Sequence, residues 1–358
     1  MTNQFLPSYT IGTDAYDSVY DVCHHFGKTA VLIGGHKSRA AAEPLLRKAL
    51  EGKMEILASL YYGGDATFEN AEALKENEAF QKADMVFAMG GGRAIDTAKK
   101  AAAEAGKPYF TFPTLASNCA PVTAVGAYYY EDHTFRQVYY VDRPSYHTFI
   151  HTGVIANAPR EYLWAGIGDA LSKQYEVEFS ARGDVLPYGR NLGVTLAGTC
   201  SQGLLEYGEA ALRSVDEKTA GEALEYVAQN IICSTGIISN LEPEDYNSSV
   251  AHALYNSHTG VAHEGSHLHG AVVCYGTLVL LTLDGQLEER DRLYAFCERT
   301  HLPHSLSDIG LTDPEELIAN ALTKPDLHKV PYPVTAELLR KAIADVEALK
   351  KQKKGDVK

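Results

Sequence analysis

The residues best suited to chemistry lie in the second half of the chain. Asp169 stands in Gly166-Ile-Gly-Asp-Ala-Leu-Ser-Lys173, His252 in Ala251-His-Ala253 and His269 in His267-Leu-His-Gly270. One carboxylate and two imidazoles form a mixed oxygen and nitrogen set that suits Zn2+ or Fe2+ and leaves positions open for a substrate. Each residue alone has a plainer reading: an Asp near a helix start caps it, and a His is a surface or satisfied core residue. His263-Glu-Gly-Ser-His267 matches the HExxH pattern of zinc proteases, which needs a helix to bring both histidines to one face. Gly265 and Ser266 weaken such a helix, so the protease reading is set aside.

A second chemical feature precedes these. In Ala88-Met-Gly-Gly-Gly-Arg-Ala-Ile-Asp-Thr-Ala-Lys99 an apolar strand runs into three glycines and then into a helix. Glycines let the backbone approach a ligand, and the helix start offers free N–H groups and partial positive charge to a diphosphate. Arg93 adds a full charge. The segment is neither GxGxxG nor a P-loop. Pro113-Thr-Leu-Ala-Ser117 follows the next strand, so Thr114 and Ser117 bring hydroxyls to the same sheet edge.

Alternating elements position these residues. Ala15, Val19, Val22, Cys23 and Phe26 have helical spacing that ends at Gly27. Thr29 to Ile33, Met54 to Tyr61, Met85 to Met89 and Tyr109 to Phe112 read as strands. Ser38 to Leu50, Thr67 to Phe80 and Arg93 to Ala105 read as helices between them. This alternation implies a doubly wound parallel sheet. Val125 to Tyr140 reads as a hairpin around Glu131-Asp132-His133, and after Pro159 the pattern is helical. The expected division is residues 1–158 as an α/β domain and 159–358 as an all-α domain, and 358 residues suffice for two cores.

The net charge of −14 argues against nucleic-acid or anionic-membrane partners, which need a basic face. The sequence has no secretory pattern at its start and no membrane-length apolar run, and its six cysteines are scattered. Reduced thiols and a cytoplasmic location are the expectation.

Together the segments resemble the iron-containing alcohol dehydrogenase superfamily, most closely its glycerol dehydrogenase branch. The resemblance rests on Gly90-Gly-Gly-Arg-Ala-Ile-Asp-Thr-Ala-Lys99, Pro113-Thr-Leu-Ala-Ser117, Val154-Ile-Ala-Asn-Ala-Pro159, Gly168-Asp-Ala170, Ala251-His-Ala-Leu-Tyr-Asn256 and His269-Gly270, in order along nearly the whole chain. It implies a Rossmann-like domain followed by a helical one, in the dehydroquinate synthase-like arrangement. It implies that Asp169, His252 and His269 hold the metal and are catalytic through it, with His263 and His267 as neighbours. It also implies cofactor contacts at Gly35, Gly91, Gly92, Arg93, Asp96, Thr114, Ser117, Thr123, Val125 and Tyr129, and substrate contacts at Asn118 and Cys119.

Two positions depart from the family pattern. Cys119 stands where glycerol dehydrogenases carry an Asp for a second substrate hydroxyl. Gly35, followed by His36-Lys-Ser-Arg39, stands where an acid holds the adenosine ribose. The implied activity is that of a metal-dependent, NAD- or NADP-linked dehydrogenase or reductase of a small alcohol, diol or polyol, with hydride leaving a metal-bound alkoxide. The pattern favours zinc over iron. Lys37, Ser38 and Arg39 favour NADP being accepted at least as well as NAD. Family members are commonly dimers or larger, which implies a homo-oligomer. Three rivals stand beside this reading: a 2-hydroxy acid (2-oxo acid) dehydrogenase on the same scaffold, a carbocycle-forming lyase resembling 3-dehydroquinate synthase, and a non-catalytic nucleotide-binding protein.

Overall fold

The computed structural model describes residues 5–242 and 246–355. The chain forms two compact units. One comprises Met1–Tyr162 with Ala210–Asn240, the other Leu163–Glu209 with Leu241–Lys358. The helical segment from Ala210 to Asn240 thus belongs with the α/β unit, whereas the sequence reading assigns all of residues 159–358 to the helical domain.

The first unit is built on a sheet of six parallel strands: β1 (Tyr9–Gly12), β2 (Thr29–Gly34), β3 (Glu55–Tyr61), β4 (Met85–Gly90), β5 (Tyr109–Pro113) and, after a separate hairpin of β6 (Val125–Tyr129) and β7 (Phe135–Tyr140), β8 (Thr148–His151). The order is β1-β8-β5-β4-β2-β3. The central strands are apolar at successive positions because both faces are covered. Leu32, Phe87, Met89, Phe110 and Phe112 pack on one face, and Val31, Ile33, Val86, Ala88 and Tyr109 on the other.

The expected strands and hairpin are present. Two strands were not expected: β1 and β8 pair with each other, and β8 extends the sheet beyond β5. The single helix expected over Thr67 to Phe80 is two, Phe68–Lys75 and Glu78–Lys82, because the Asn77 side chain accepts from the Ala79 and Phe80 amides and starts a new helix. The spacing from Ala15 to Phe26 resolves into 3₁₀, α and 3₁₀ turns ending at Gly27.

The second unit is helical, with no strand among its described residues. Its core is the helix His269–Leu283, buried without interruption from Gly270 to Thr282. A helix apolar all round must be surrounded, and Val250–His258, Leu287–Thr300 and Ala336–Gly355 pack against it. No helix among the described residues is long and apolar enough to cross a membrane.

Candidate metal centre and nucleotide-binding edge

Three helices of the second unit carry the proposed ligands. Asp169 is in Arg160–Ser180, His252 is in Val250–His258 and His269 opens His269–Leu283. An Asp side chain is short, so the helices must approach closely for it to meet two imidazoles. Small residues beside each ligand permit this. A Cβ added at Gly168 would lie 2.4 Å from the Gly270 carbonyl oxygen, and one at Gly270 would lie 2.0 Å from that of Ala165. One at Gly276 would lie 2.7 Å from the Cα of Ala251. Backbone therefore meets backbone next to every ligand.

One ligand atom from each of Asp169, His252 and His269 lies within 4.8 Å of the other two. The two imidazoles present Nε2 to the same carboxylate oxygen: Asp169 Oδ1 is 3.1 Å from His269 Nε2 and 3.7 Å from His252 Nε2. The His269 side chain is 42 % exposed, which opens the cluster on that side. The Tyr255 ring stands edge-on to His269 at 4.1 Å and fixes its plane.

Behind His252 lies a residue that the sequence reading missed. Glu176 is fully buried, and its Oε2 accepts from His252 Nδ1 at 2.5 Å. Its Oε1 accepts from the Ser249 amide at 2.7 Å and the His252 amide at 3.1 Å. The carboxylate thus fixes Nδ1 as a donor and leaves Nε2 as the nitrogen turned toward Asp169. A sequence signal existed. Glu176 is seven residues after Asp169, two helical turns on and on the same face.

The charges agree with this arrangement. Burial raises the Asp169 carboxyl, but His269, His252 and Lys173 outweigh it and hold the group down at about 2. Burial lowers the His252 imidazole, yet Glu176 and then Asp169 raise it to about 9. Lys173 lies one turn beyond Asp169 and turns its ammonium to Asn247, 3.2 Å from Oδ1.

His263 and His267 do not share a helix. The stretch from Thr259 to Leu268 is turn and loop, with Gly265 at φ +78°. The geometry that HExxH needs is absent.

In the first unit, the other expected residues collect at the carboxyl ends of parallel strands. Register sets Gly34 beside Met89 and Gly90 beside Pro113. The chain runs from β2 outward to β3, then returns to β4 and continues to β5 on the other side, so the switch point lies between β2 and β4. Gly35 and Gly91 occupy that point, each as the residue before a helix: His36–Leu50 and Gly92–Glu104. Gly90 takes φ +151° and ends β4. A side chain at Gly92 would start 2.7 Å from Asn118 Nδ2, so the glycine helix start and the loop after β5 lie in contact. The Thr114 amide donates to the Gly90 carbonyl, and Ser117 follows in the same loop. This edge is where open α/β sheets bind their ligands.

The remaining residues belong to the hairpin and its mounting. Arg93 pairs with Asp65 at 3.3 Å, and its guanidinium lies over the Tyr129 ring at 5.1 Å. Asp96 points inward: it accepts from Lys99 at 3.0 Å and from the Ala127 amide at 3.2 Å. The buried Lys99 donates to the Val125 carbonyl at 2.6 Å and reaches Thr123 Oγ1 at 3.5 Å. Asp96 therefore fastens the hairpin to the glycine helix. Asn240, also missed in the sequence, accepts from the Ala124 amide and donates to the Val122 carbonyl. Cys119 Sγ lies 3.9 Å from Ser239 Oγ.

At the β2 end, Ser38 Oγ donates to the Gly35 carbonyl and Arg39 Nη1 to the Ser59 carbonyl at 2.6 Å. Lys37 is exposed. The His36 ring stacks on Tyr61 at 4.4 Å.

Comparison with known proteins agrees with this architecture. The family model of iron-containing alcohol dehydrogenase matches residues 7–148. A glycerol dehydrogenase of Thermotoga maritima is 33% identical over 288 residues, covering 77% of this chain and 78% of the relative. Hydroxycarboxylate dehydrogenase A of Escherichia coli is 30% identical over 330 residues, 90% of each chain. The crystal structure of glycerol dehydrogenase from Schizosaccharomyces pombe superposes with a TM-score of 0.85 at 26% identity, covering 100% of this chain and 93% of that one. The chain belongs to the iron-containing alcohol dehydrogenase superfamily, in its glycerol dehydrogenase-like branch, and is an oxidoreductase of that family.

Proposed function

We propose that the chain is a zinc-dependent, NAD(P)-linked dehydrogenase of small alcohols and diols, with Asp169, His252 and His269 as the ligands of one divalent metal. The observation that carries this is the meeting of two Nε2 atoms at one carboxylate oxygen, with Glu176 fixing the tautomer of His252. Three protein ligands with an open side are the donor set of a catalytic zinc, and Lys173 adds no fourth. When bound, the metal polarises the substrate oxygen as a Lewis acid and the nicotinamide exchanges the hydride.

The chain's own residues set the stage for that exchange. Glu176 aims His252, and Tyr255 holds the His269 ring. The helix starts after Gly35 and Gly91 offer amides to the dinucleotide phosphates. Arg93, Thr114 and Ser117 assist there, and Thr123, Val125 and Tyr129 hold the nicotinamide end. Asp96 positions that hairpin. Lys37 and Arg39 favour acceptance of NADP at least as well as NAD, because no carboxylate stands at Gly35 to repel a 2′-phosphate. A cytoplasmic homo-oligomer completes the reading.

Glu176→Gln is expected to weaken zinc retention by about 10–100-fold in chelator competition, since an amide holds the imidazole proton less well. Unaltered affinity would remove Glu176 from the positioning role.

Substrate choice rests on Cys119, a thiol that hydrogen-bonds weakly where a carboxylate would bind a second hydroxyl. The test is a panel of diols, polyols, aldehydes and 2-oxo acids, run with both cofactors on metal-analysed protein. Glycerol is expected to be a poor substrate. Cys119→Asp is expected to raise kcat/KM for glycerol about 10-fold relative to a simple alcohol, the scale of one pocket contact. An unchanged ratio would place Cys119 outside the substrate pocket. The second reading, a 2-hydroxy acid dehydrogenase, is favoured by that same missing carboxylate, which no longer repels an acid, and by the likeness to hydroxycarboxylate dehydrogenase A. Turnover confined to 2-oxo acids would select it.

A further inference from the structure

A second histidine cluster lies in the helical unit, apart from the Asp169 centre. His258 ends the helix that carries His252, six residues on, or roughly 9 Å along the axis. His263 and His267 stand in the loop before His269. One ring nitrogen from each of the three lies within 4.8 Å of the other two. The rings of His258 and His263 stack at 4.1 Å, and His267 stands edge-on to both at 5.4 and 5.5 Å.

The hydrogen bonds select the nitrogens. His258 Nε2 lies 2.7 Å from the Ile309 carbonyl, and His267 Nε2 lies 2.7 Å from the Glu264 carbonyl. A carbonyl only accepts, so both Nε2 atoms carry their proton and both Nδ1 atoms keep a lone pair. The Nδ1 of His263 is buried with no hydrogen-bond partner. A buried polar atom without a partner is costly, and a cation held by the three rings would supply that partner. Backbone carbonyls on the far ring nitrogen are also what orient metal-bound histidines. The loop itself is fastened: the Glu264 amide donates to the Gly310 carbonyl at 3.0 Å, and a Cβ at Gly310 would lie 2.0 Å from the Glu264 carbonyl oxygen.

We propose that His258, His263 and His267 form a second divalent-metal site, separate from the Asp169 centre, that binds zinc through three imidazole nitrogens and ties the loop from Thr259 to Leu268 to the end of the His252 helix. Neutral imidazoles with no carboxylate favour zinc, copper or nickel over magnesium or calcium.

The test is a zinc count on the full chain. Protein is equilibrated with excess zinc, desalted and analysed by mass spectrometry, for wild type, His263→Ala, His267→Gln and His252→Ala. Two zinc ions per wild-type chain are expected, one in each single variant and none in His252→Ala/His263→Ala. His267→Gln leaves the His263 ring with its buried Nδ1 in place and substitutes a polar side chain of similar size, so it guards against a misfolded His263 variant. One zinc in wild type that survives His263→Ala and His267→Gln would overturn the second site and leave the Asp169 centre standing. One zinc that survives His252→Ala but not His263→Ala would support the second site while overturning the Asp169 assignment. With cobalt in place of zinc, the second site is expected to add visible ligand-field absorption that His263→Ala removes.

Discussion

Replacing His252 with alanine is expected to release the metal of the Asp169 centre and to lower kcat/KM by about 1,000-fold or more. The loss has two parts. One of three ligands disappears, and with it the charge stabilisation worth several kcal/mol that a Lewis acid gives a developing alkoxide. In addition, Glu176 loses the imidazole that its Oε2 engages at 2.5 Å while remaining fully buried. A buried carboxylate that keeps its backbone donors on Oε1 but loses the cationic partner of Oε2 is destabilising in its own right. The variant is therefore expected to melt earlier than wild type as well as to lose turnover. Adding Glu176→Gln to His252→Ala should restore part of the melting temperature and none of the activity, which separates the two effects. A His252→Ala protein that keeps a metal at Asp169 and full activity would break the assignment.

The second large effect is steric. Gly270→Val is expected to destabilise the helical unit by about 3 kcal/mol or more, because overpacking costs most where the obstacle is backbone. The added Cβ alone would lie 2.0 Å from the Ala165 carbonyl oxygen and 2.8 Å from the Asp169 Cβ. Neither atom can turn aside as a side-chain tip can. The two helices must part, and Asp169 moves with them, so metal retention falls together with the melting temperature. Gly221→Ala is the control. A Cβ there meets nothing within 4 Å, and the expected change is below about 1 kcal/mol. Equal melting temperatures for Gly270→Val and wild type would show that the crossing does not set the site.

These residues also show what the sequence made legible. The strand-to-glycine-to-helix segment from Met85 to Glu104 announced itself locally, because period and glycine content change within a few residues. The ligand positions did not. Asp169, His252 and His269 stand out by residue type, but their joining into one site is what the family resemblance implies, and no spacing brings a residue of one helix to those of two others. Glu176 was visible only as a carboxylate two turns from Asp169, and its purpose required knowing which helix crosses there. The strands β1 and β8 are four residues each, too short for a period to register, and they exist because they pair across most of the first unit's sequence. The attachment of Ala210–Asn240 to the sheet unit was equally hidden, since helical spacing states a face and not its partner. Asn77 is a local sign of the helix break: a strong capping residue inside an otherwise helical run.

The glycine crossings at Gly168, Gly270 and Gly276 have a consequence for how an ion exchanges. On the proposed assignment, contacts between main chains hold the three side chains in place, and an arriving cation would have little backbone to organise. The entropy usually lost when a site assembles around its guest has already been lost in folding. Association would then depend chiefly on the shedding of hydration water, and one divalent ion would replace another in a cradle of nearly constant dimensions. Such a cradle would rank its occupants by radius and by the readiness of each to give up water, so that the bound species would reflect supply as well as intrinsic affinity.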